Sequence, residues 1–251
     1  MKIELNNVIA ERGAKTLYKS GNYCVKVFDG SYSKADILNE ALNHARVEET
    51  GLSVPKIEEV AKIDGRWAIV SEFINGKTLD VLAAENPERG AEYLDKFVSL
   101  QLLIQSYKCP LLNRIKDKMN RKISASGLDP TLRYELHHMI DGMPKHAKLC
   151  HGDFNPSNII VGDDGKDYII DWAHATQGNA SADAARTYLI FCLNGRAELA
   201  EKYLDLFCKK SDTAKQYVQK WMPIVAASQL VKGKPEEKAF LLRWATVVDF
   251  E

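Results

Sequence analysis

The sequence lacks an excess of charge of either sign, and its few cysteines show no paired spacing. Thirty-four Lys and Arg residues balance thirty-four Asp and Glu residues, so no overall field favours a nucleic acid or an anionic membrane as a partner. The five cysteines are an odd number without C-x-x-C spacing, which argues against a disulfide framework and against a zinc site. They are Cys24, Cys109, Cys150, Cys192 and Cys208.

Long apolar runs are also missing. No uncharged apolar stretch approaches the roughly 18 residues of a membrane span, and the start MKIELNNVIAER lacks the basic-then-apolar arrangement of a signal peptide. We therefore expect a cytoplasmic protein without a membrane association, and no pattern indicates a protein partner. A chain of 251 residues can bury a large core, as one large domain or as two small lobes.

The first part of the chain has the pattern of a small sheet with one helix. Short β-rich runs alternate with turn residues over 3–28, which predicts antiparallel strands. Ser33 followed by Asp36 is a capping-box pattern, and the apolar residues after it keep a helical period. A further strand is predicted over 66–73. We assign residues 1–75 to a β-rich N-terminal lobe that binds nucleotide.

From residue 76 the pattern becomes mainly helical, which predicts an α+β protein with a larger C-terminal lobe at 76–251. The predicted helices cover 92–106, 131–140, 182–192, 197–209, 213–231 and 236–248. The polar, basic segment 115–126 fits no element clearly. Asn75-Gly76 has the composition of a hinge between the two lobes.

The stretch HGDFNPSNIIVGDDGKDYIIDWAHAT carries the main chemical signal. Asp153 and Asn158 lie five apart in a polar loop, and Asp171 follows two short apolar runs. A hairpin at 149–171 would bring these oxygen-bearing side chains to one edge, where they can hold a hard cation and orient a hydroxyl. The order H-x-D-x-x-x-x-N, apolar strand, I-I-D is typical of a phosphotransferase with a protein-kinase-like core. The alternative is an ordinary polar turn before the hairpin.

On these residues the chain resembles the aminoglycoside phosphotransferase and choline kinase superfamily, in particular its bacterial small-molecule kinases. HGDFNPSNII resembles the catalytic loop of that superfamily, and IIDWAHA resembles its metal-binding strand end. The resemblance implies a two-lobed protein-kinase-like fold, with Asp153 as catalytic base and Asn158 and Asp171 as Mg²⁺ ligands. It makes His151 structural, with a direct role in the reaction as the alternative.

Two charged residues in the first 75 positions fit the same resemblance. Lys26 is a lone charge in the apolar run Tyr23–Phe28, at the place where these kinases hold the α- and β-phosphates of the nucleotide. Its alternative is an outward, solvated side chain on a half-exposed strand. Glu40 lies within the apolar face of the predicted helix, and a buried acid requires a cationic partner. The resemblance implies that this partner is Lys26.

The other nucleotide contacts have weaker signals. Residues 11–18 contain one glycine, Gly13, and no G-x-G-x-x-G, so a plain hairpin turn is the alternative to a phosphate-covering loop. The run 68–76 resembles the superfamily's hinge, where backbone groups near Glu72 and Ile74 would pair with the purine edge. Side chains there do not distinguish ATP from GTP.

Asp183 lies twelve positions after Asp171 and opens a predicted helix. It resembles a second acid of the superfamily that caps a helix under the catalytic loop, and an acid in this position also suits the helix dipole. We expect Asp183 to support the loop structurally, with a substrate contact as the alternative.

The acceptor is weighed by charge and by aromatic residues. Residues 184–251 contain eleven Lys or Arg against eight Asp or Glu, a balance that disfavours a polycationic aminoglycoside. A choline-like amine would require an aromatic cage, but Trp221 and Trp244 have the spacing of core residues. The cage candidates are Trp172, Tyr188, Trp221 and Trp244.

The sequence thus predicts a Mg²⁺-dependent kinase that moves the γ-phosphate of ATP or GTP to a hydroxyl of a small metabolite. An aminoglycoside-modifying kinase and a kinase of choline-like amino alcohols are the alternatives for the acceptor. A non-catalytic nucleotide-binding module is disfavoured because Lys26, Asp153, Asn158 and Asp171 are all present. A protein kinase is disfavoured because no A-P-E-like segment follows Asp171.

Overall fold

The structure, a computed structural model, describes residues 3–246. It divides into two compact units. The first unit contains residues 3–87 together with Pro156–His174, and the second contains Glu88–Asn155 and residues 175–246. By packing, the segments 76–87 and 156–174 therefore lie with the first unit. The functional boundary near residue 75 stays a prediction.

The first unit is built on a five-stranded antiparallel sheet with strand order β1-β2-β3-β5-β4. One helix, α1 (Lys34–Glu48), connects β3 to β4. Val25, Val27 and Val70 form part of one apolar cluster of the sheet, while Ile37 of α1 packs with Phe28 in a second cluster. The strands are β1 (Val8–Arg12), β2 (Lys15–Ser20), β3 (Tyr23–Phe28), β4 (Ile57–Ile63) and β5 (Arg66–Glu72).

Local chemistry explains these elements. The Ser33 hydroxyl accepts a hydrogen bond from the Asp36 amide at 3.1 Å and so caps the first turn of α1. Asp64 and Gly65 both have positive φ, 49° and 77°, which is the backbone of a tight two-residue turn between antiparallel strands. The predicted antiparallel sheet with one helix is present.

A second, three-stranded sheet of the first unit has the order β6-β8-β9. It contains the hairpin whose first strand follows the Asn158 turn. Gly76 begins β6 and pairs with Gly162; its φ is 150°, and a Cβ there would overlap the Val161 carbonyl oxygen. The remaining strands are β6 (Gly76–Thr78), β7 (Lys148–Cys150), β8 (Ile159–Gly162), β9 (Asp167–Ile169) and β10 (Thr176–Gly178), of which β7 and β10 pair in the second unit.

The second unit is mainly helical. Its core includes an aromatic cluster in which Phe97 stacks on Phe154 with ring centroids 4.5 Å apart, and Phe191 and Tyr203 pack edge-on against Phe97. Its helices are α3 (Gly90–Ser106), α4 (Ile115–Ser124), α5 (Pro130–Gly142), α6 (Ala180–Leu193), α7 (Ala197–Ser211), α8 (Lys215–Gln219), α9 (Met222–Gln229) and α10 (Pro235–Ala245); α2 (Leu79–Glu85) belongs to the first unit.

Two elements differ from the sequence prediction. The single helix predicted over 213–231 is wrong, because the chain forms α8 and then α9, and Pro223 lies in the first turn of α9. Proline lacks the amide that would continue a helix, but it suits a helix start. The unassigned segment 115–126 forms α4, which buries Ile115, Met119 and Ile123 at spacings of four.

The C-terminal helix is shorter in the described part of the chain than its prediction. Helix α10 ends at Ala245, and the last two residues of the predicted range 236–248 lie outside the described residues. Within residues 3–246, none of the helices has the length and apolar character that crossing a bilayer requires.

Candidate active site

The first unit contains a cavity of about 510 Å³. This volume lies within the range of about 300–1,000 Å³ that is usual for small-molecule sites. Its walls combine apolar side chains of the sheets with a few charged groups, which is the usual composition of a specific ligand pocket. Ile57, Ile69, Ile160 and Ile170 are among the apolar residues, and Arg12, Lys15, Lys26, Glu40 and Asp171 are among the charged ones.

Glu40 connects two lysines at this cavity. Its Oε1 accepts from Lys26 Nζ and its Oε2 accepts from Lys15 Nζ, both at 2.8 Å. Lys26 Nζ also lies 3.4 Å from Asp171 Oδ1. Burial acts to lower the pKa of Lys26, but the carboxylates of Asp171 and Glu40 outweigh burial and raise that pKa above its usual value. Lys26 therefore carries its charge at neutral pH.

Asp171 has a backbone that few non-glycine residues adopt. Its φ is 64°, in the left-handed region, where such strain is typical of functional positions. The next residue anchors the turn, because the buried Trp172 indole donates to the Ile169 carbonyl at 3.0 Å. The strained backbone holds the Asp171 carboxylate beside Lys26 at the cavity wall.

Asn158 lies at the end of a 3-10 turn, Pro156–Asn158, and is buried. Its side-chain Oδ1 accepts from Arg12 Nη1 at 3.3 Å, and its main-chain carbonyl accepts from the Ile170 amide at 2.9 Å. The second bond joins the Asn158 turn directly to the residue before Asp171. The hairpin thus ties the two predicted metal ligands to one local framework.

The oxygens of Asn158 and Asp171 suit a hard cation such as Mg²⁺. Each side-chain oxygen already faces a positive group, Arg12 for Asn158 and Lys26 for Asp171. Within residues 3–246 no group of three or more His, Cys, Asp or Glu residues forms a metal cage. Mg²⁺ at phosphates usually takes one or two protein ligands and fills its shell with phosphate and water oxygens, so this donor set fits it.

Of the three residues with weaker signals for nucleotide binding, two line the cavity and one does not. Gly13 is exposed, has φ 58° and forms the tight turn between β1 and β2, and it does not line the cavity. Glu72 and Ile74 do line the cavity. The Glu72 amide donates to the Lys56 carbonyl at 2.8 Å and is therefore not available to a purine. The roles of all three residues stay predictions.

In the second unit, Asp183 supports the loop that carries Asp153. The Asp183 carboxylate accepts from the Gly152 amide at 2.7 Å and from the His151 amide at 3.4 Å. Its Oδ2 also lies 3.4 Å from the Nε2 of both Gln101 and Gln105. Asp183 is not the cap of α6, since Asn179 caps that helix by accepting from the Ser181 amide. The Asp183 carboxylate instead accepts hydrogen bonds from the loop amides.

His151 and Thr187 fix the same loop from two further sides. The fully buried His151 ring accepts from the Asp153 amide through Nδ1 at 3.2 Å and packs edge-on against Phe154. The Thr187 hydroxyl donates to the Phe154 carbonyl at 3.1 Å. These contacts hold the main chain of Asp153 while 29% of its side chain stays exposed. The structural role of His151 stays a prediction.

The Asp153 carboxylate faces an arginine. Its Oδ1 lies 3.4 Å from Arg186 Nη2, and Arg186 Nη1 donates to Gln229 Oε1 at 2.7 Å. Burial lowers the pKa of Arg186, while the charge of Asp153 opposes that effect. Asp153 is thus a fixed, partly exposed carboxylate with a cation at one oxygen, which suits a group that orients a hydroxyl and accepts its proton.

The sequence profile of the phosphotransferase enzyme family matches residues 14–218, which include Lys26, Asp153 and Asp171. The chain belongs to the phosphotransferase enzyme family. The predicted membership is confirmed, and with it the prediction that the protein is an enzyme of the small-molecule kinase type. No curated protein sequence matches the chain.

Solved structures support the same fold. A thermostable mutant of aminoglycoside phosphotransferase APH(4)-Ia in its apo form aligns with a TM-score of 0.69 and 16% identity, over 96% of this chain and 92% of that chain. Choline kinase LicA from Streptococcus pneumoniae gives 0.64 and 15%, over 97% and 94%. Aminoglycoside-3'-phosphotransferase of type VIII gives 0.62 and 16%, over 92% of each chain. At these identities the likeness shows the fold, and the predicted α+β kinase-like class is confirmed.

Several charged residues of this phosphotransferase were not identified from its sequence. Arg12 and Lys15 flank the turn at Gly13, and both line the cavity. Arg186 meets Asp153 from α6, a helix that is buried over most of its length. The signal that identified Lys26, a charge isolated among buried positions, is also present at Arg186.

Proposed function

We propose that this phosphotransferase moves the γ-phosphate of ATP or GTP to a hydroxyl of a small metabolite, with Mg²⁺. The observation that carries the proposal is the charged network of Lys26, Glu40 and Asp171 at the wall of a ligand-sized cavity. Phosphoryl transfer requires mainly positioning and neutralisation of charge. Glu40 would position the Lys26 ammonium group, and that ammonium group would neutralise charge on the phosphates.

The first unit would bind the nucleotide. The apolar walls of its cavity suit a purine, and Lys26 and Lys15 supply positive charge for phosphate oxygens. Asn158 and Asp171 would hold Mg²⁺, which neutralises the phosphates and orients them. Glu40 keeps the two lysines in position, since each of its carboxylate oxygens accepts from one of them.

The second unit would supply the group that acts on the acceptor. The acceptor hydroxyl oxygen forms a bond to the γ-phosphorus, and the bond from that phosphorus to the β,γ-bridging oxygen breaks. The hydroxyl proton passes to the Asp153 carboxylate, and the nucleoside diphosphate leaves. Asp183 and His151 hold the loop so that the Asp153 carboxylate keeps its orientation.

The nucleotide base is proposed from the solved neighbours. The APH(4)-Ia mutants have been solved as ternary complexes of hygromycin B with ADP or with AMP-PNP, at TM-scores of 0.68 and 0.67 to this chain. These complexes support an adenine nucleotide for this chain. GTP stays an alternative, because the cavity positions near Glu72 and Ile74 would read the purine through backbone groups.

For the acceptor, the structure weakens one alternative from the sequence. Trp221 has no exposed surface, so it cannot contribute to an aromatic cage for a choline-like amine. Tyr188 and Trp244 contact each other with ring centroids 6.2 Å apart, and the Tyr188 hydroxyl bonds to Glu201. Trp221 and Tyr188 are buried in the helical core and Trp244 is half-buried against Tyr188, and a hydroxylated metabolite is favoured over choline.

A nucleotide-consumption screen tests the proposal. The purified protein is incubated with Mg²⁺, ATP or GTP, and single compounds from a set of hydroxylated metabolites, aminoglycosides and choline. We expect acceptor-dependent formation of nucleoside diphosphate that disappears when EDTA removes the metal. Failure to bind either nucleotide in the presence of Mg²⁺ would contradict the proposal, and a response to aminoglycosides alone would replace its acceptor.

A further inference from the structure

Positive side chains are concentrated around the Asp153 carboxylate in the second unit. Lys118, Lys122, Arg186 and Lys232, here called the cationic cluster, influence one another and Asp153 electrostatically. Arg186 Nη2 lies 3.4 Å from Asp153 Oδ1.

The cluster is assembled from three parts of the fold. Lys118 and Lys122 lie one turn apart on α4, the helix in the segment that the sequence left unassigned. Both α4 and α6, which carries Arg186, pack against α9. Lys232 follows α9 directly, in the 3-10 turn Leu230–Lys232. Since these elements pack on one another, the core brings the backbone positions of the four cations together, and Lys232 itself is exposed.

Hydrogen bonds fix the central member. Arg186, of which 13% of the side chain is exposed, donates to the buried Gln229 at the end of α9. Gln229 in turn donates to Glu237 Oε2 at 2.6 Å, and Glu237 also binds Lys234 at 2.9 Å. The guanidinium therefore has a defined direction towards Asp153.

Burial and like charge both act against the charged forms of the two lysines on α4. Burial, followed by the charges of Lys122 and Arg186, lowers the pKa of Lys118 to about 7, although Asp183 and Asp153 act to raise it. Burial, Arg186 and Lys232 likewise lower the pKa of Lys122 to about 8. Of the nearby acids, Asp183 is bonded to the loop amides and Glu237 to Lys234. An anion bound here would relieve this repulsion.

We propose that the cationic cluster binds an anionic group of the acceptor, so that the substrate is a hydroxylated small molecule that carries a phosphate or a carboxylate. This inference rests on the proposed kinase function, because it places the acceptor at Asp153. Arg186 offers a planar pair of donors that suits both anions, and the lysines add charge without a fixed geometry. The same cluster repels the amines of an aminoglycoside.

The first arm of the test compares acceptors that share a carbon skeleton and differ in charge. Glycerol, glycerol 3-phosphate and glycerate form one series, and glucose, glucose 6-phosphate, gluconate and glucosamine form another. We expect nucleotide consumption to rise with the anionic members and not with glycerol, glucose or glucosamine. The two anionic members of each series separate phosphate from carboxylate as the recognised group.

The second arm uses two variants of one helix. Lys122→Gln removes a cluster charge, while Arg121→Gln removes a neighbouring exposed charge of the same helix. For the best anionic acceptor, Lys122→Gln is expected to raise KM roughly tenfold, with the KM of the nucleotide unchanged, and Arg121→Gln to change neither. An increase in the nucleotide KM alone would overturn the inference, because the cluster would then serve the transferred phosphate.

If no compound in the set is a substrate, a direct binding measurement tests whether the cationic cluster binds an anion. With Mg²⁺ and ADP at saturation, inorganic phosphate is expected to raise the Tm of the unchanged protein and not that of a Lys118→Gln, Lys122→Gln double variant. An equal shift in both proteins, or no shift in either, would overturn the inference. Loss of Mg²⁺-nucleotide binding in the unchanged protein would instead contradict the proposed kinase function.

Discussion

Asp153 and Asp171 belong to one sequence motif but have different surroundings. Asp153 faces Arg186 in the second unit, whereas Asp171 faces Lys26 in the first unit, at a strained φ of 64°. A proton acceptor and a metal ligand require this kind of difference, because the first must meet a hydroxyl and the second must stay ionised beside phosphates. Substitutions at the two positions should therefore give separable effects.

Asp153→Ala should reduce phosphoryl transfer by a factor of about 10² or more, since the proposed general base and orienting group are lost together. Mg²⁺-nucleotide binding should stay largely intact. Asp171→Ala should weaken Mg²⁺-nucleotide binding as well, because it removes a proposed ligand. Single-turnover transfer and calorimetric titration with AMP-PNP measure the two properties. Normal phosphorylation of an identified acceptor by the Asp153→Ala protein would exclude the assigned base.

Glu40→Gln should raise the nucleotide KM by roughly tenfold while the fold is preserved. The amide keeps the shape of the side chain but no longer neutralises Lys26 and Lys15, so Lys26 is drawn towards Asp171 and away from phosphates. Glu49→Gln, an exposed position just after the same helix, is the matched control. Steady-state kinetics with varied nucleotide provide the comparison, and equal KM values for both variants would contradict the role of Glu40.

At the scale of elements, one buried acid holds the Asp153 loop together with His151 and Thr187. Asp183 is 1% exposed and accepts from two loop amides and two glutamine side chains. Asp183→Ala leaves these donors without their acceptor, and we expect a loss of about 2 to 4 kcal/mol in the free energy of unfolding. Urea denaturation measures it. Asp205→Ala, which removes a surface ion pair with Lys215, should cost less than about 1 kcal/mol.

The β6–β8 pairing gives a second prediction at this scale. Gly76→Ala would place a methyl group against the Val161 carbonyl in a backbone with φ 150°, so the strand must shift. We expect a loss of at least about 1 kcal/mol, with partial loss of the β6–β8 hydrogen bonds. Gly90→Ala at the start of α3 meets open space and should be neutral or slightly stabilising. Thermal unfolding and amide exchange compare the two variants.

Elements were predictable where local signals agreed. The Ser33 capping pattern and the apolar period after it led to α1, and the β-rich runs over 3–28 and 66–73 led to strands of the sheet. Helix α4 was missed because Ile115, Met119 and Ile123 are too few among Lys and Arg to mark an apolar face, and packing against the other helices decides its conformation. Pro223 was present in the sequence but was not weighed against the apolar period of 213–231.

Residues of the site could be predicted where a single charge interrupts an apolar pattern in the sequence. Lys26 and Glu40 were identified because each is a charge in an apolar pattern, and their contact is present. The cationic cluster was not, because Lys118 and Lys122 lie outside the region whose charges were counted. A regional sum of charges has no information about which side chains converge. Convergence depends on the packing of α4 and α6 on α9.

For the whole molecule, the cationic cluster predicts a dependence of stability on pH. The pKa of Lys118 is lowered to about 7 from an unfolded value near 10.5. Between these values the unfolded chain binds more protons at this site than the folded one, so the free energy of unfolding should rise with pH from about 7 to 10. Lys122, Arg186, Asp183 and Asp153 act on Lys118, and the Lys118→Met variant should show a flatter profile in urea titrations at a series of pH values.

The same two lysines should make binding of the proposed anionic acceptor weaker as pH rises, although the stability of the fold increases over that range. As pH rises through about 7 and 8, Lys118 and Lys122 lose their charge, and the KM of an anionic acceptor should increase. The nucleotide KM should change less over this range, because the pKa of Lys26 is raised and it stays charged. A parallel increase of both constants would point to a general change in the protein and not to the cluster.

The two proposed metal ligands each face a cation of the protein, Arg12 at Asn158 and Lys26 at Asp171. A divalent ion that takes both oxygens would therefore exchange places with side-chain charges. Metal binding would then be an ion exchange, in which Arg12 and Lys26 would turn from these oxygens to the phosphates of the nucleotide. Arg12→Gln would then strengthen binding of the metal alone while weakening binding of the metal with its nucleotide.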